Sequence, residues 1–447
     1  MAKATVRIPH NYVPRPYQVP LIRAMDDGVT RAVIVWHRRS GKDKTCLNIV
    51  AMKAMDRVGA YFYFYPTYAQ AKKAIWDGRD GSGFKFMDHF PPAIVEGKNE
   101  SDLRLRLTNG SSIQLIGTDS IDAIMSTNPV GCVFAEYSLQ DPKAWDYVRP
   151  ILRENGGWAI WNFTPRGKNH AHAIYEMAKR LQEEGDPAWF HQRLTVDDTG
   201  VLTATDIDAE RREGMDEELI AQEYFCSFSG SMQGAYYTQQ MQAAEEEGRI
   251  CAVPYQEELP VDGWWDLGVA DACAIWLTQT VGREIHLIDY IEESGEGLPF
   301  YKRALDRKPY IYGRHHAPHD IKVRELGTGR SRLETAEAMG IPFDIVPNIG
   351  LMDGIDATRM FLGRCWFDRV KTERGRLALL SYQKTWNEKL RTFSSLPYHN
   401  WATHSADAMR YLAVGHKFGE ARRVRRAVRR PTFYDDGESA SQTWLGS

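Results

Sequence analysis

RAVIVWHRRSGKDKTCLNIV, residues 31–50, runs from an apolar stretch through a Gly-Lys turn into a helix-forming segment. A loop that holds phosphate groups needs this order. Small residues let backbone N–H groups curl around the anion, a lysine reaches its outer oxygens, and a helix N-terminus adds favourable dipole charge. Ser40, Gly41, Lys42, Asp43 and Lys44 are the candidate contacts. The match to G-x-x-x-x-G-K-[ST] is imperfect, because Trp36 replaces the first glycine and Asp43 the hydroxyl residue that helps hold magnesium. Taken alone, a structural strand-turn-helix with a surface lysine reads equally well.

Three neighbouring segments favour a nucleotide. PRPYQVPL, residues 14–21, resembles the Q-motif of helicase-like ATPases, with Gln18 to read an adenine edge and Tyr17 to stack on it. PVGCVFAEYS, residues 129–138, is a buried-strand run ending in an acid. In ATPases of the additional-strand type such a run ends in Asp-Glu, one carboxylate organising Mg²⁺ and the next polarising water. Ala135 fills the first place and Glu136 the second. WNFTPRGKNH, residues 161–170, then sets Thr164 in a turn after another apolar strand, where a γ-phosphate sensor belongs. Arg38 and Arg39 precede the loop as candidate stabilisers of a phosphoryl transition state.

From residue 31 to 165, β-rich runs alternate with helical ones, which predicts an α/β domain with a largely parallel sheet. Residues 202–247 are charged and helix-forming. Strands resume at VDGWWDLGVADACAIWLTQTVGREIHLIDYIEE, with Gly282 predicted in a hairpin turn. The expected organisation is an ATPase-type domain over 1–200, a helical linker over 201–250, a second α/β domain over 251–418 and a tail over 419–447.

A chain of 447 residues, 43% hydrophobic and 26% charged, has room for these domains and the composition of an ordinary globular protein. It has no apolar run long enough to span a membrane, and MAKATVRIPH lacks a signal-peptide core, so a cytoplasmic place without membrane contact is expected. The six cysteines are scattered without a CxxC pair, which excludes the common zinc patterns. Net charge is −3, so contact with nucleic acid must be local. RRVRRAVRR, residues 422–430, with six arginines, reads as a solvated tail or as a DNA or partner contact.

In the second domain Asp266 interrupts an aromatic and apolar strand, Asp320 ends YGRHHAPHD, and Asp407 lies in HNWATHSADAMRYLAV. Carboxylates converging from separate elements make a site for two divalent ions that activate water on a phosphodiester, and oxygen ligands favour Mg²⁺ or Mn²⁺. Spacing alone leaves convergence open. A turn acid, a cap and a helix-terminal charge are the structural alternatives. Asp271, His319 and His404 are secondary candidates, with packing the simpler role for the histidines.

Taken in order, the Q-like segment, deviant loop, Glu-ended strand, TPRGKN turn, DLGVADACA, APHD and THSADAMRYLA resemble the large terminase subunit of tailed bacteriophages, over roughly residues 12–415. The resemblance implies a P-loop ATPase domain of the additional-strand type followed by an RNase H-like nuclease. It implies a motor that hydrolyses ATP to move double-stranded DNA into a procapsid and cuts the concatemer. Lys42 would contact the β- and γ-phosphates, Glu136 would be catalytic, and Thr164 would couple hydrolysis to motion. Asp266, Asp320 and Asp407 would be catalytic metal ligands, with Mg²⁺ or Mn²⁺ as cofactor.

A portal protein, a small terminase subunit and a homo-oligomeric ring, a pentamer, are implied partners, in the host cell cytoplasm. Arg104, Arg106, Arg149 and Arg153 are candidates for a role between subunits, with surface charge as the default. Asp43 and Ala135 depart from the pattern, and one departure can compensate the other if Asp43 supplies the missing carboxylate. The alternatives are a DNA helicase or remodelling ATPase, a nuclease with a degenerate nucleotide site, and a non-enzymatic DNA-tethering scaffold.

Overall fold

The computed structural model describes residues 12–119, 127–229, 234–268, 272–324, 330–387 and 392–417. Its first sheet comprises β1 (Arg31–Trp36), β2 (Ala60–Tyr65), β3 (Val95–Asn99), β4 (Arg104–Leu107), β5 (Ser112–Gly117), β6 (Pro129–Ala135), β7 (Trp158–Phe163) and β8 (Trp189–Leu194). The order is β3-β4-β5-β2-β6-β7-β1-β8. From β5 through β8 every pairing is parallel, whereas β3 and β4 add an antiparallel edge. Strand β7 lies between β1 and β6 and pairs with both, which is the additional-strand arrangement.

The near-continuous apolar runs explain why these strands are central. A parallel strand covered on both faces needs no polar alternate. In AYFYFY the tyrosines at 61, 63 and 65 pack on one face with Ile34, Trp36 and Leu47, while Phe62 and Phe64 pack on the other with Val33, Phe134 and Trp161. Helix α1 (Val19–Asp26) and helix α2 (Lys42–Asp56) cover the first face, through Leu21, Met25, Leu47 and Val50. The helices Lys143–Glu154 and His170–Glu183 cover the second, through Val148, Leu152 and Ile174.

The helical connector expected after this sheet contains helices Ala204–Arg212, Glu217–Glu223 and Thr238–Glu246. Thr203 caps the first through a reciprocal capping box with Asp206, and Asp216 caps the second.

The second sheet comprises β9 (Ile250–Cys251), β10 (Val261–Leu267), β11 (Ala272–Val281), β12 (Glu284–Ser294), β13 (Tyr312–Ala317), β14 (Phe343–Ile345) and β15 (Cys365–Asp368). Its order is β14-β13-β10-β11-β12-β15-β9. Strands β10, β11 and β12 form an antiparallel meander, with Gly282 at φ 63° in the predicted turn. Strand β13 then pairs parallel with β10, and β14 with β13, the RNase H-like arrangement. Trp264 and Trp276 pack with Met409 and Leu412 of the helix Thr403–Gly415, while Trp265 and Ile275 face the opposite core. Among the described residues no helix is long and apolar enough to cross a membrane. The arginine-rich stretch 422–430 lies outside the described residues.

Candidate functional site

Strand β1 delivers its chain into the loop His37–Ser40, and Gly41 opens α2 at φ 83°. A side chain at Gly41 would be strained at that φ, and its Cβ would lie 3.0 Å from Gln18 Nε2, so the position needs glycine. Lys42 is buried at the first helical position, its ammonium 3.0 Å from Glu136 Oε1 and 3.1 Å from Thr164 Oγ1. Burial works to lower the Lys42 pKa, but Glu136 and Asp43 outweigh it and hold the group above its ordinary value. Glu136 ends β6 in a left-handed conformation, φ 54°, with its backbone N–H directed at Asn162 Oδ1. The loop lysine, the strand-end acid and the turn threonine thus meet beyond the C-terminal ends of the interior strands β1, β6 and β7. Lys42 and Glu136 line a cleft of about 1080 Å³ together with Arg38, Arg39 and Arg79.

The other loop candidates hold the site's frame. Tyr17 Oη and Gln18 Nε2 both donate to the Ser40 carbonyl, at 2.7 and 3.1 Å. Gln18 Oε1 meanwhile accepts from Tyr12 and from the Arg15 backbone, so its amide braces the loop. The Ser40 hydroxyl is buried and makes no hydrogen bond among the described residues. Lys44 pairs with Asp80 at 3.0 Å, and both line the cleft. Arg38 lies 3.8 Å from the buried Glu223, which also takes Arg166 at 2.6 Å, while Arg39 is exposed at φ 69°. Arg104, Arg106, Arg149 and Arg153 are exposed.

Asp43 departs most from the expected pattern. Its Oδ1 accepts from Tyr63 at 2.8 Å and from Asn162 at 3.2 Å, and its Oδ2 from Tyr65 at 3.0 Å. Burial and the Glu136 charge push its pKa up against the pull of Lys42 and the two tyrosines. A carboxylate at the cleft floor beside a phosphate-type loop is a hard oxygen donor of the kind that suits Mg²⁺.

Sequence reading missed Tyr63, Tyr65, Asn162, Arg166 and Glu223. The hydroxyls at alternate positions of AYFYFY were a usable period-2 signal. Glu223 gave none, since it closes a charged helix that reads as solvated.

In the second sheet Asp266 occupies the next-to-last position of β10, Asp320 the turn His319–Lys322 after β13, and Asp407 the helix Thr403–Gly415. The Asp266 pKa is pushed up to about 6, by burial first and then by the charges of Asp407 and Asp320, against the bond from His404. Asp266 and Asp320 lie at or just after the C-terminal ends of the parallel neighbours β10 and β13, and Asp407 is near enough for its charge to act on Asp266. They are not gathered into a cage: Asp266 Oδ2 is 2.8 Å from His404 Nδ1, Asp407 pairs with Arg410 at 3.0 Å, and Asp320 is exposed. Among the described residues no group of three His, Cys, Asp or Glu side chains stands ready to hold a metal. Asp271 lies outside the described residues.

No family profile matches this sequence, and no curated protein matches it. Among solved structures the chain is similar to the large terminase of a thermophilic bacteriophage in complex with ADP. The identity is 16% over 89% of this chain and 98% of that one, with a TM-score of 0.40. It is similar to the ATPase domain of the Thermus phage P74-26 large terminase, at 20% identity over 48% of this chain and 94% of that one, TM-score 0.40. The P22 large terminase nuclease domain is similar at 16% identity over 38% of this chain and 88% of that one, TM-score 0.30. The structural neighbours of this two-sheet α/β chain are large terminases from several phages.

Proposed function

We propose that this chain is the large subunit of a phage terminase, which hydrolyses ATP to drive double-stranded DNA into a procapsid and cuts concatemeric DNA. The observation that carries the reading is the meeting of Lys42 with Glu136 and Thr164, at 3.0 and 3.1 Å, beside a cleft that Lys42 and Glu136 line. In the free chain the Lys42 ammonium is neutralised by Glu136. A bound triphosphate replaces Glu136 with phosphate oxygens at that ammonium, and the released carboxylate is free to orient the attacking water. Thr164 loses its lysine donor in the same exchange, which makes the turn after β7 responsive to the nucleotide. Arg38 and Arg39, which line the cleft, are assigned the positive charge that assists phosphoryl transfer. A divalent cation, when bound, supplies charge neutralisation at the phosphates.

For cutting, the reading assigns Asp266, Asp320 and Asp407 as carboxylate ligands on the second sheet. A divalent cation held there would neutralise charge on the phosphodiester, and it would share Asp266 with His404, bonded at Oδ2, and Asp407 with Arg410, bonded at Oδ1. A ring of copies docked on a portal protein, fed by a small subunit in the host cytoplasm, completes the proposal, with DNA as the shared substrate.

The test is DNA-stimulated ATP hydrolysis by the full chain and by Glu136→Ala, together with plasmid cleavage in Mn²⁺ and in EDTA by the full chain and by Asp266→Asn. Loss of hydrolysis in the first variant and of Mn²⁺-dependent cleavage in the second supports the reading. Cleavage without any ATP hydrolysis points to a nuclease with a degenerate nucleotide site. Hydrolysis without cleavage points to a helicase or remodelling ATPase.

A further inference from the structure

Strand β6 lacks the usual carboxylate because Ala135 stands in its place, and Ala135 belongs to the same packed layer as Tyr63, Tyr65 and Cys46 of α2. Ala135 is also the register partner of Asn162 on β7. The face on which a carboxylate at 135 would project is therefore the face that Asp43 enters from α2. Four elements converge there: β2 brings two hydroxyls, β7 an amide, β6 an alanine that leaves room, and α2 the acid.

Tyr63 and Tyr65 are buried, and their rings stack with centroids 6.0 Å apart and planes 22° from parallel. Two phenylalanines would satisfy that packing. Two hydroxyls at this depth need partners, because a buried unpaired hydroxyl costs about 1–3 kcal/mol. Both find the same carboxylate, one on each oxygen. Asn162 adds a third donor, and its own Oδ1 faces the backbone N–H of Glu136, so one amide ties Asp43 to the strand-end acid. An ionised carboxylate has about four lone-pair sites. Three are occupied, and the remaining one belongs to Oδ2 of a side chain that lines the cleft.

We propose that Tyr63, Tyr65 and Asn162 are positioning residues that fix Asp43 as the ligand of the nucleotide-associated divalent cation, in place of the carboxylate absent at Ala135. The inference rests on the nucleotide-site reading above. Donors behind a metal ligand set its orientation, and removing them typically costs about ten- to a hundredfold in metal affinity.

The experiment measures binding of a fluorescent, slowly hydrolysed ATP analogue to the full chain in Mg²⁺ and in EDTA, and takes the ratio of the two affinities. Wild type binds more tightly in Mg²⁺. Asp43→Asn brings the ratio close to one. Tyr63→Phe/Tyr65→Phe lowers it by about ten- to a hundredfold with the EDTA affinity unchanged, and each single Phe variant gives part of that loss. Asn162→Ser, which disturbs no aromatic packing, moves the ratio in the same direction. Phe variants that keep the wild-type ratio overturn the proposal, and so do variants that lose affinity equally in EDTA. A wild type that binds the analogue in neither condition overturns the nucleotide site itself. Binding that ignores Asp43 overturns only the cradle.

Discussion

Arg374 grips Asp141 with two nitrogens, at 2.6 and 2.9 Å, and in doing so joins the two sheets. Asp141 lies just beyond the turn that follows Glu136, while Arg374 and its second partner, Glu292 at 2.8 Å, belong to the other half of the chain. The guanidinium also lies 4.2 Å over the ring of Trp401. Breaking one side of a buried ion-pair network strands the other charges, which costs about 3–5 kcal/mol. Arg374→Ala is therefore expected to destabilise the full chain by that amount in urea unfolding, with faster protease cleavage between residues 200 and 250. A loss under about 1 kcal/mol would place this pair among ordinary surface contacts.

Glu136→Gln keeps the size of the side chain and removes its charge. Hydrolysis of ATP is expected to fall about 10²- to 10⁴-fold, the usual worth of a positioned base. Analogue binding should hold or improve, because Lys42 loses the carboxylate that competes with phosphate. Lys42→Arg is not expected to keep activity. The pocket places a single ammonium between Glu136 and Thr164, and a planar fork meets neither at those distances. Weaker nucleotide binding by Glu136→Gln would mean that the Lys42 pair is structural.

The central strands were legible because parallel strands write their burial as unbroken apolar runs, and β1, β2, β6 and β7 do so. The edge strand β3 was less so, and β4, although read as β-rich, gave no sign of its antiparallel direction. RLRL alternates exposed and buried positions, and its antiparallel return through Gly110, φ 92°, is a local turn inside a parallel pattern. Lys42, Glu136 and Thr164 stood out as candidates because each ends or follows a recognisable strand, and the fold brings the three together. Gln18 was read as meeting an adenine edge; its amide donates to the Ser40 carbonyl while the side chain lines the cleft. Partners such as Glu223 and Arg374 lie far along the chain from what they hold, and no local pattern marks a pairing made only by the fold.

Glu223 shows what such a hidden partner contributes. Burial raises its pKa, but Arg166, Arg38 and Lys42 outweigh burial and bring it below the ordinary value. A carboxylate depressed in the folded state stabilises above its unfolded pKa, about 4.3, and that stability is lost as pH falls through the folded value. Glu223→Gln should thus cost about 1.5–3 kcal/mol at pH near 7, the worth of bonds to charged groups. The gap to wild type should narrow in acid. A gap independent of pH would show that the ion pair with Arg166 at 2.6 Å contributes only packing.

His170 titrates in the opposite sense. Its Nε2 donates to the Tyr137 carbonyl at 2.8 Å, its ring meets Tyr137 edge-on at 4.8 Å, and its Nδ1 has no hydrogen-bond partner among the described residues. Burial pushes its pKa down to about 4; the Tyr137 bond and Asp141 oppose this, and Arg374 reinforces it. The unfolded chain takes up a proton near the ordinary value of about 6.5, whereas the folded chain resists until about 4. The stability tied to neutral His170 is complete above about pH 6.5 and drains as pH falls between these values. By pH near 5 the loss from this residue is about 2 kcal/mol. His170→Gln retains a donor for the Tyr137 carbonyl and carries no titrating group, so its unfolding free energy should fall less than that of wild type between about pH 7 and pH 5. Equal losses in both proteins would show that His170 titrates in the fold as it does in the unfolded chain, so that the Tyr137 bond and Asp141 offset burial at this junction.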